Sequence, residues 1–106
     1  MKSGSELGPG PLEFEWDAAK AAINEEKHGV SFLEAATSFG DPHSIIIYDK
    51  AHSDTEDRWV LVGMSAMHRL LSVGHTERGD RIRIIGARQG GPRQRRAYEE
   101  GEEGAG

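Results

Sequence analysis

Residues 58–88, RWVLVGMSAMHRLLSVGHTERGDRIRIIGAR, decide the fold. Three runs rich in Val, Ile and Leu, at 58–66, 69–77 and 81–88, are separated by only two and three residues. Gaps that short join neighbouring antiparallel strands, whereas a parallel pair needs a crossover of a dozen or more residues. The stretch therefore predicts a three-strand meander. Before it, SIIIYD at 44–49 is a fourth, β-branched strand, and KAHSDTED at 50–57 is a polar loop between the two.

Upstream of Pro42 the period is helical. Asp17 is placed to cap a helix through His28, rich in alanine, and Gly29 stands where a left-handed C-cap residue belongs. Ala19, Ala22 and Ile23 are its predicted buried stripe. Ser31 with Glu34 forms a capping box, and Phe32, Ala35, Ala36 and Phe39 follow the i, i+3, i+4, i+7 rule of a second helix. FEW at 14–16 fits a short strand or an apolar anchor. Pro92 opens a last short helix containing RQRRAYEE. The order α-α-β-β-β-β-α predicts an α+β domain over residues 12–100. Two N-terminal helices pack on one face of a four-stranded antiparallel sheet, the other face stays open, and a short C-terminal helix follows. Residues 1–11, MKSGSELGPGP, read as a flexible leader and 101–106 as a flexible tail.

A chain of 106 residues is one domain by length. It has no cysteine, which excludes a disulfide framework, a thiolate metal site and a cysteine nucleophile. No apolar run approaches the roughly 20 residues of a membrane span, and no signal-peptide core is present. A cytoplasmic protein is the expectation. The net charge of −5 hides an asymmetry: residues 67–98 hold eight arginines against Glu77 and Asp80. Arginine grips phosphate bidentately and stays charged at every relevant pH, so the segment points to a polyanion.

FEWDAAKAAINEEKHGVSFLEAATSFGDP, HTERGDRIRIIGAR and RRAYE together resemble the BrnT family of type II toxins, over roughly residues 13–100. The chain departs from the family pattern at Gln89, where a basic residue is lost, at Gly90-Gly91, which loosens the entry to the last helix, and at Gly74, where an aliphatic residue is usual. The resemblance implies a RelE-like fold and an endoribonuclease that needs no metal and no other cofactor and arrests translation. It also implies a BrnA-like antitoxin of ribbon-helix-helix type, with operator DNA contacted only through that antitoxin, and no membrane.

Cleaving RNA without metal requires a base for the 2′-OH, an acid for the leaving 5′-oxygen, and cations at the phosphate. His75 is the candidate proton carrier, because imidazole titrates near neutrality. Glu77 lies two residues on, on the same strand face, as a base or an orienting group. Arg83 and Arg88 are the candidate phosphate clamps; cross-strand pairing with acids is the competing use. Whether His75 shares a face with Arg83 depends on the hairpin. A two-residue loop at 78–79 sets His75 opposite Ile82, and a three-residue loop at 78–80 sets it opposite Arg83; the sequence leaves both open. Candidate RNA-binding residues are Lys27 and His28, which the resemblance brings to an RNA groove, with Arg78, Arg81, Arg96 for phosphate and Tyr98 for base stacking. Trp16 and Trp59 read as core. The loop 52–57 groups His52, Asp54, Glu56 and Asp57 without the spacing of a recognised metal motif. The same residues also fit a module of this fold that binds nucleic acid or antitoxin without cutting.

Overall fold

The computed structural model describes residues 12–105, with side chains through Gly101. The leader read at 1–11 lies outside the described residues. Strand β1 (Glu13–Glu15) is followed by helix α1 (Ala18–His28), helix α2 (Phe32–Thr37) and a 3-10 turn (Ser38–Gly40). Then come β2 (Ile45–Tyr48), a 3-10 turn (Lys50–His52), β3 (Trp59–Met64), β4 (Leu70–Arg78), β5 (Arg81–Gln89) and helix α3 (Pro92–Ala105). The sheet order is β1-β5-β4-β3-β2. Among the described residues no helix is long and apolar enough to cross a membrane.

The α+β class and the meander are as expected, but the sheet is five-stranded and mixed, not four-stranded and antiparallel. The three residues of β1 pair in parallel with β5, Glu13 beside Arg81 and Glu15 beside Arg83. A three-residue strand is too short to show alternation, and its partner lies almost seventy residues away. The second helix also stops early. Thr37 Oγ1 donates to the Glu34 carbonyl and Ser38 Oγ to that of Ala35, both at 2.6 Å, and such side-chain bonds compete with the helical ladder. At the other end, α3 runs to Ala105, through the segment read as tail.

Alternation along the strands assigns the two sheet faces. On the inner face, Leu71, Val73, Ile84 and Ala87 form one core with Val30, Phe32 and Ala35, and Phe14, Trp16 and Phe39 pack against it. Phe32, Ala35, Ala36 and Phe39 thus serve as expected. On the outer face, Tyr98 of α3 sits on Val62 and Leu70, flanked by Ile45, Val60 and Met64. Helix α3 therefore covers the β2–β3 side of the outer face and leaves the rest uncovered.

Helix α1 corrects the predicted stripe. Ala19, Ala22 and Ile23 are exposed, and Asn24 is its buried residue. The Asn24 amide donates to the carbonyls of Val30 and Ala87 and accepts from the Ala87 N–H. It continues the hydrogen bonding of β5 where β1 has ended, so the helix is fixed to the sheet by an amide rather than by an apolar stripe. Asp17 caps its start by accepting from Lys20 N, and Gly29 closes its end at φ 70°.

The proposed capping box is half formed. Ser31 Oγ accepts from Glu34 N, but the Glu34 carboxylate is buried and turns to Arg69 and to Ser65 Oγ. The Arg69 hydrogen bond, with that of Ser65, holds the Glu34 carboxyl below the usual carboxylate range despite its burial. Arg69 also donates to the Gly29 carbonyl, tying α1, α2 and β4 together.

Candidate functional site

The hairpin register places the basic residues. Arg78 faces Arg81 across a Gly79-Asp80 turn, with Gly79 at φ 64° as a type II′ turn requires. This sets His75 opposite Ile84, which neither predicted loop gives, and Arg83 opposite Thr76. A bulge then intervenes: Gly74 faces Gly86, leaving Ile85 unpaired, and Arg88 faces Ser72. Without the extra residue Arg83 and Arg88, five apart, would point to opposite faces. The bulge re-aims Arg88 so that both lie on the outer face.

His75 lies on the inner face and is 3% exposed. Its Nδ1 is 3.1 Å from the Val73 carbonyl, and its ring meets Phe39 edge-on at 4.9 Å. Burial pushes its pKa below the ordinary imidazole value, against smaller upward effects from the Val73 carbonyl and Glu77. Glu77 is exposed near the hairpin tip. The structure does not bring His75 onto a common face with Arg83 and Arg88.

Four of the eight remaining candidates, Arg78, Arg81, Arg83 and Tyr98, have side-chain partners. Arg83 Nη1 donates to Glu15 at 2.9 Å, and Arg81 lies 3.3 Å from Glu13 and 3.7 Å from Glu15. Arg78 pairs with Glu56 at 3.3 Å. The acids come from β1 and from the loop 50–57, outside the basic segment itself. Tyr98 is buried and its hydroxyl donates to Asp41 at 2.7 Å, so its ring serves the core. Arg96 is exposed on α3.

The uncovered part of the outer face holds a cleft of about 460 Å³. Its floor is Val60, Ser72 and the Gly74–Gly86 pair, where the sheet carries no side chains. Asn24 and His28 of α1, with Ile85 and Arg88 of β5, form one rim, and Asp49, His52 and Arg58 the other. His75 and Trp59 also border it. A smaller recess of about 220 Å³ adjoins the first rim, lined by Lys20, Lys27, His28 and Ile85. Of the predicted residues, His28, His75 and Arg88 line the cleft and Lys27 lies beside it. Glu77, Arg78, Arg81, Arg83, Arg96 and Tyr98 do not line it. Arg88 is exposed and has no ion pair among the described residues.

Sequence reading missed Asn24, Asp49, His52, Arg58 and Trp59. His52 Nδ1 lies 2.9 Å from Asp49 Oδ2, and Trp59 meets Tyr48 edge-on at 4.9 Å. The i, i+3 spacing of Asp49 and His52 was the available signal, lost because His52 was weighed only with the acids that follow it, as a metal group, while Asp49 was assigned to the preceding strand. Two of the loop's other acids also face protein groups. Asp57 accepts from the Tyr48 hydroxyl, and Glu56 pairs with Arg78 and, at 3.9 Å, with Arg58. The cleft thus offers imidazoles, guanidiniums and a carboxylate around a flat backbone floor. That set can hold an anion and move protons.

A model of the family described as the ribonuclease toxin BrnT of type II toxin–antitoxin systems matches residues 16–93. The crystal structure of the Brucella abortus ribonuclease toxin BrnT is similar in fold, with a TM-score of 0.60 at 20% identity. The match covers 76% of this chain and 99% of that one. A comparison with curated proteins found no match. The matched region runs from just after β1 to the start of α3, and with it the chain belongs to the BrnT family of ribonuclease toxins of type II toxin–antitoxin systems.

Proposed function

We propose that this toxin is a metal-independent endoribonuclease that arrests translation by cutting RNA held in the outer-face cleft. The 2′-OH attacks the adjacent phosphorus and leaves a 2′,3′-cyclic phosphate and a 5′-hydroxyl. The carrying observation is the contrast among the arginines of the basic segment. Arg69, Arg78, Arg81 and Arg83 are matched to glutamates of the same chain, whereas Arg88 reaches the cleft without a partner among the described residues. Fixed guanidinium charge beside a scissile phosphate stabilises the charge that grows there in the transition state. Lys27 and His28 at the end of α1 extend the basic rim along an RNA backbone.

The partner in this reading is a ribbon-helix-helix antitoxin of the BrnA type, which supplies the operator DNA contacts. Family membership supports this, and the exposed Glu25 and Glu26 of α1 offer acid to a basic docking segment.

Purified toxin incubated with RNA in excess EDTA tests the proposal. Cleavage with cyclic-phosphate ends is expected. Intact RNA, or cleavage only after divalent metal is added, contradicts it. The burial of His75 favours a second reading, a cleft that binds RNA without cutting it. That reading predicts normal growth on induction without the antitoxin, where a nuclease arrests the cells.

A further inference from the structure

The nuclease reading needs a group to accept the 2′-OH proton, and buried His75 on the inner face is poorly placed for it. We infer that His52, oriented by Asp49, is the general base of this cleft, with His28 on the opposite rim as the general acid. The inference rests on the nuclease reading above.

Three observations carry it. First, His52 presents Nδ1 to the Asp49 carboxylate, at 2.9 and 3.1 Å from its two oxygens. An ionised carboxylate only accepts, so Nδ1 carries the proton and the lone pair is left on Nε2 of a side chain that lines the cleft. A base whose tautomer is set by a carboxylate recurs across hydrolytic sites. Second, the turn that carries the pair is braced. Ser53 Oγ donates to the Asp49 carbonyl at 2.6 Å and accepts from Arg58 N at 2.9 Å. Asp49 N donates to the Arg58 carbonyl at 2.9 Å. An exposed imidazole on a braced turn is held in place while remaining open to substrate. Third, sheet order separates the two histidines. His28 stands beside β5 and His52 before β3, with β4 and its glycine floor between them. In-line displacement at phosphorus needs base and acid on opposite sides of the phosphate, and this cleft provides two sides.

In the step, the 2′-OH proton passes to His52 Nε2 as the O2′–P bond forms. The P–O5′ bond breaks, and His28 gives a proton to O5′. Solvent then restores both imidazoles. Arg58 and Arg88 flank the phosphate. Asp49, Arg58, Arg88, His28 and His75 are the other ionisable groups that line the cleft. Asp49 is a positioning residue, since it acts through His52.

Single-turnover cleavage of an RNA oligonucleotide in EDTA, followed from pH 5 to 9, tests this. General base catalysis contributes about 10²–10⁴-fold, so His52→Ala should lose at least a hundredfold in rate and the acidic limb of its pH profile. Affinity for a 2′-deoxy analogue should stay unchanged, and added imidazole should restore part of the rate. Asp49→Asn should lower kcat with KM unchanged, and Asp49→Glu should recover part of it. A His52→Ala toxin that melts normally and cuts at the wild-type rate overturns the base assignment and leaves the nuclease reading standing. A wild type that binds RNA and never cuts it overturns both.

Discussion

The side-chain amide of Asn24 pairs with the backbone of Ala87 in both directions, Nδ2 donating to the carbonyl at 2.8 Å and Oδ1 accepting from the N–H at 3.1 Å. One polar side chain thus stands in for a strand and fixes the helix whose last residue, His28, borders the cleft. Asn24→Leu leaves those two buried backbone groups unsatisfied. A loss of about 2–6 kcal/mol is expected in urea unfolding, because each orphaned group costs about 1–3 kcal/mol. Unchanged stability would show that the helix is held by something else.

Arg83 and Arg88 share a face but differ in their partners among the described residues. Arg83 is matched to Glu15, and a partly exposed pair of this kind contributes about 0.2–1 kcal/mol. Arg83→Ala should therefore soften the β1–β5 edge slightly and leave RNA cleavage within about twofold of wild type. Arg88→Ala should lower cleavage at least tenfold with an unchanged melting temperature. Cleavage assays paired with melting curves on both variants separate the roles, and the reverse ranking would place the phosphate at the β1 end of the sheet.

His75 gives the fold a pH dependence of its own. Burial depresses its folded pKa, so below the ordinary imidazole value of about 6.5 the unfolded chain binds the proton first. Stability is therefore full above about pH 6.5 and falls as the pH drops toward the folded value. His75→Leu should flatten the melting temperature over the interval just below about pH 6.5. A slope over that interval identical to wild type would show that His75 does not cause it.

A second acid-linked loss should follow at lower pH. The Arg69 and Ser65 bonds hold the Glu34 carboxyl below its usual range. Asp41 is also held low: burial raises it, but bonds from Met64 N, His43 N and the Tyr98 hydroxyl outweigh that. Both contribute stability above the ordinary carboxylate values of about 4, lost as pH falls through the folded ones. Glu34→Gln should weaken the acid transition below about pH 4 and leave the His75 region unchanged, as denaturant titrations at fixed pH will show.

What the sequence disclosed follows from where its signals are local. The meander was legible because short gaps and β-branched runs specify neighbouring strands. The second helix was legible because Ser31 caps it and Phe32, Ala35 and Phe39 repeat at helical spacing. Strand β1 was legible only as one of two readings of 14–16, and its parallel place in the sheet was not legible, since its three residues pair with distant Arg81–Arg83. Asn24 was missed because a polar side chain was not expected to fasten a helix. Pairing with acids was weighed for Arg83, but which acids meet Arg78, Arg81 and Arg83 was not legible, as those acids are remote in sequence. The bulge at Ile85 decided which arginine reaches the cleft, and no local residue preference announced it. Lys27, His28 and Arg88, singled out as cations at a helix end and a strand end, lie at or beside the cleft because the fold brings those two ends together.

The central claim, that RNA occupies the outer-face cleft, is tested most directly by NMR titration of 15N-labelled toxin with an uncleavable 2′-deoxy-substituted RNA oligonucleotide. Amide shifts should concentrate at His28, Arg58, Ser72, Gly74, Gly86 and Arg88 and weaken as salt is raised. Shifts confined to α3, to the β2 edge or to the Arg81–Arg83 end, with those residues unmoved, would contradict it.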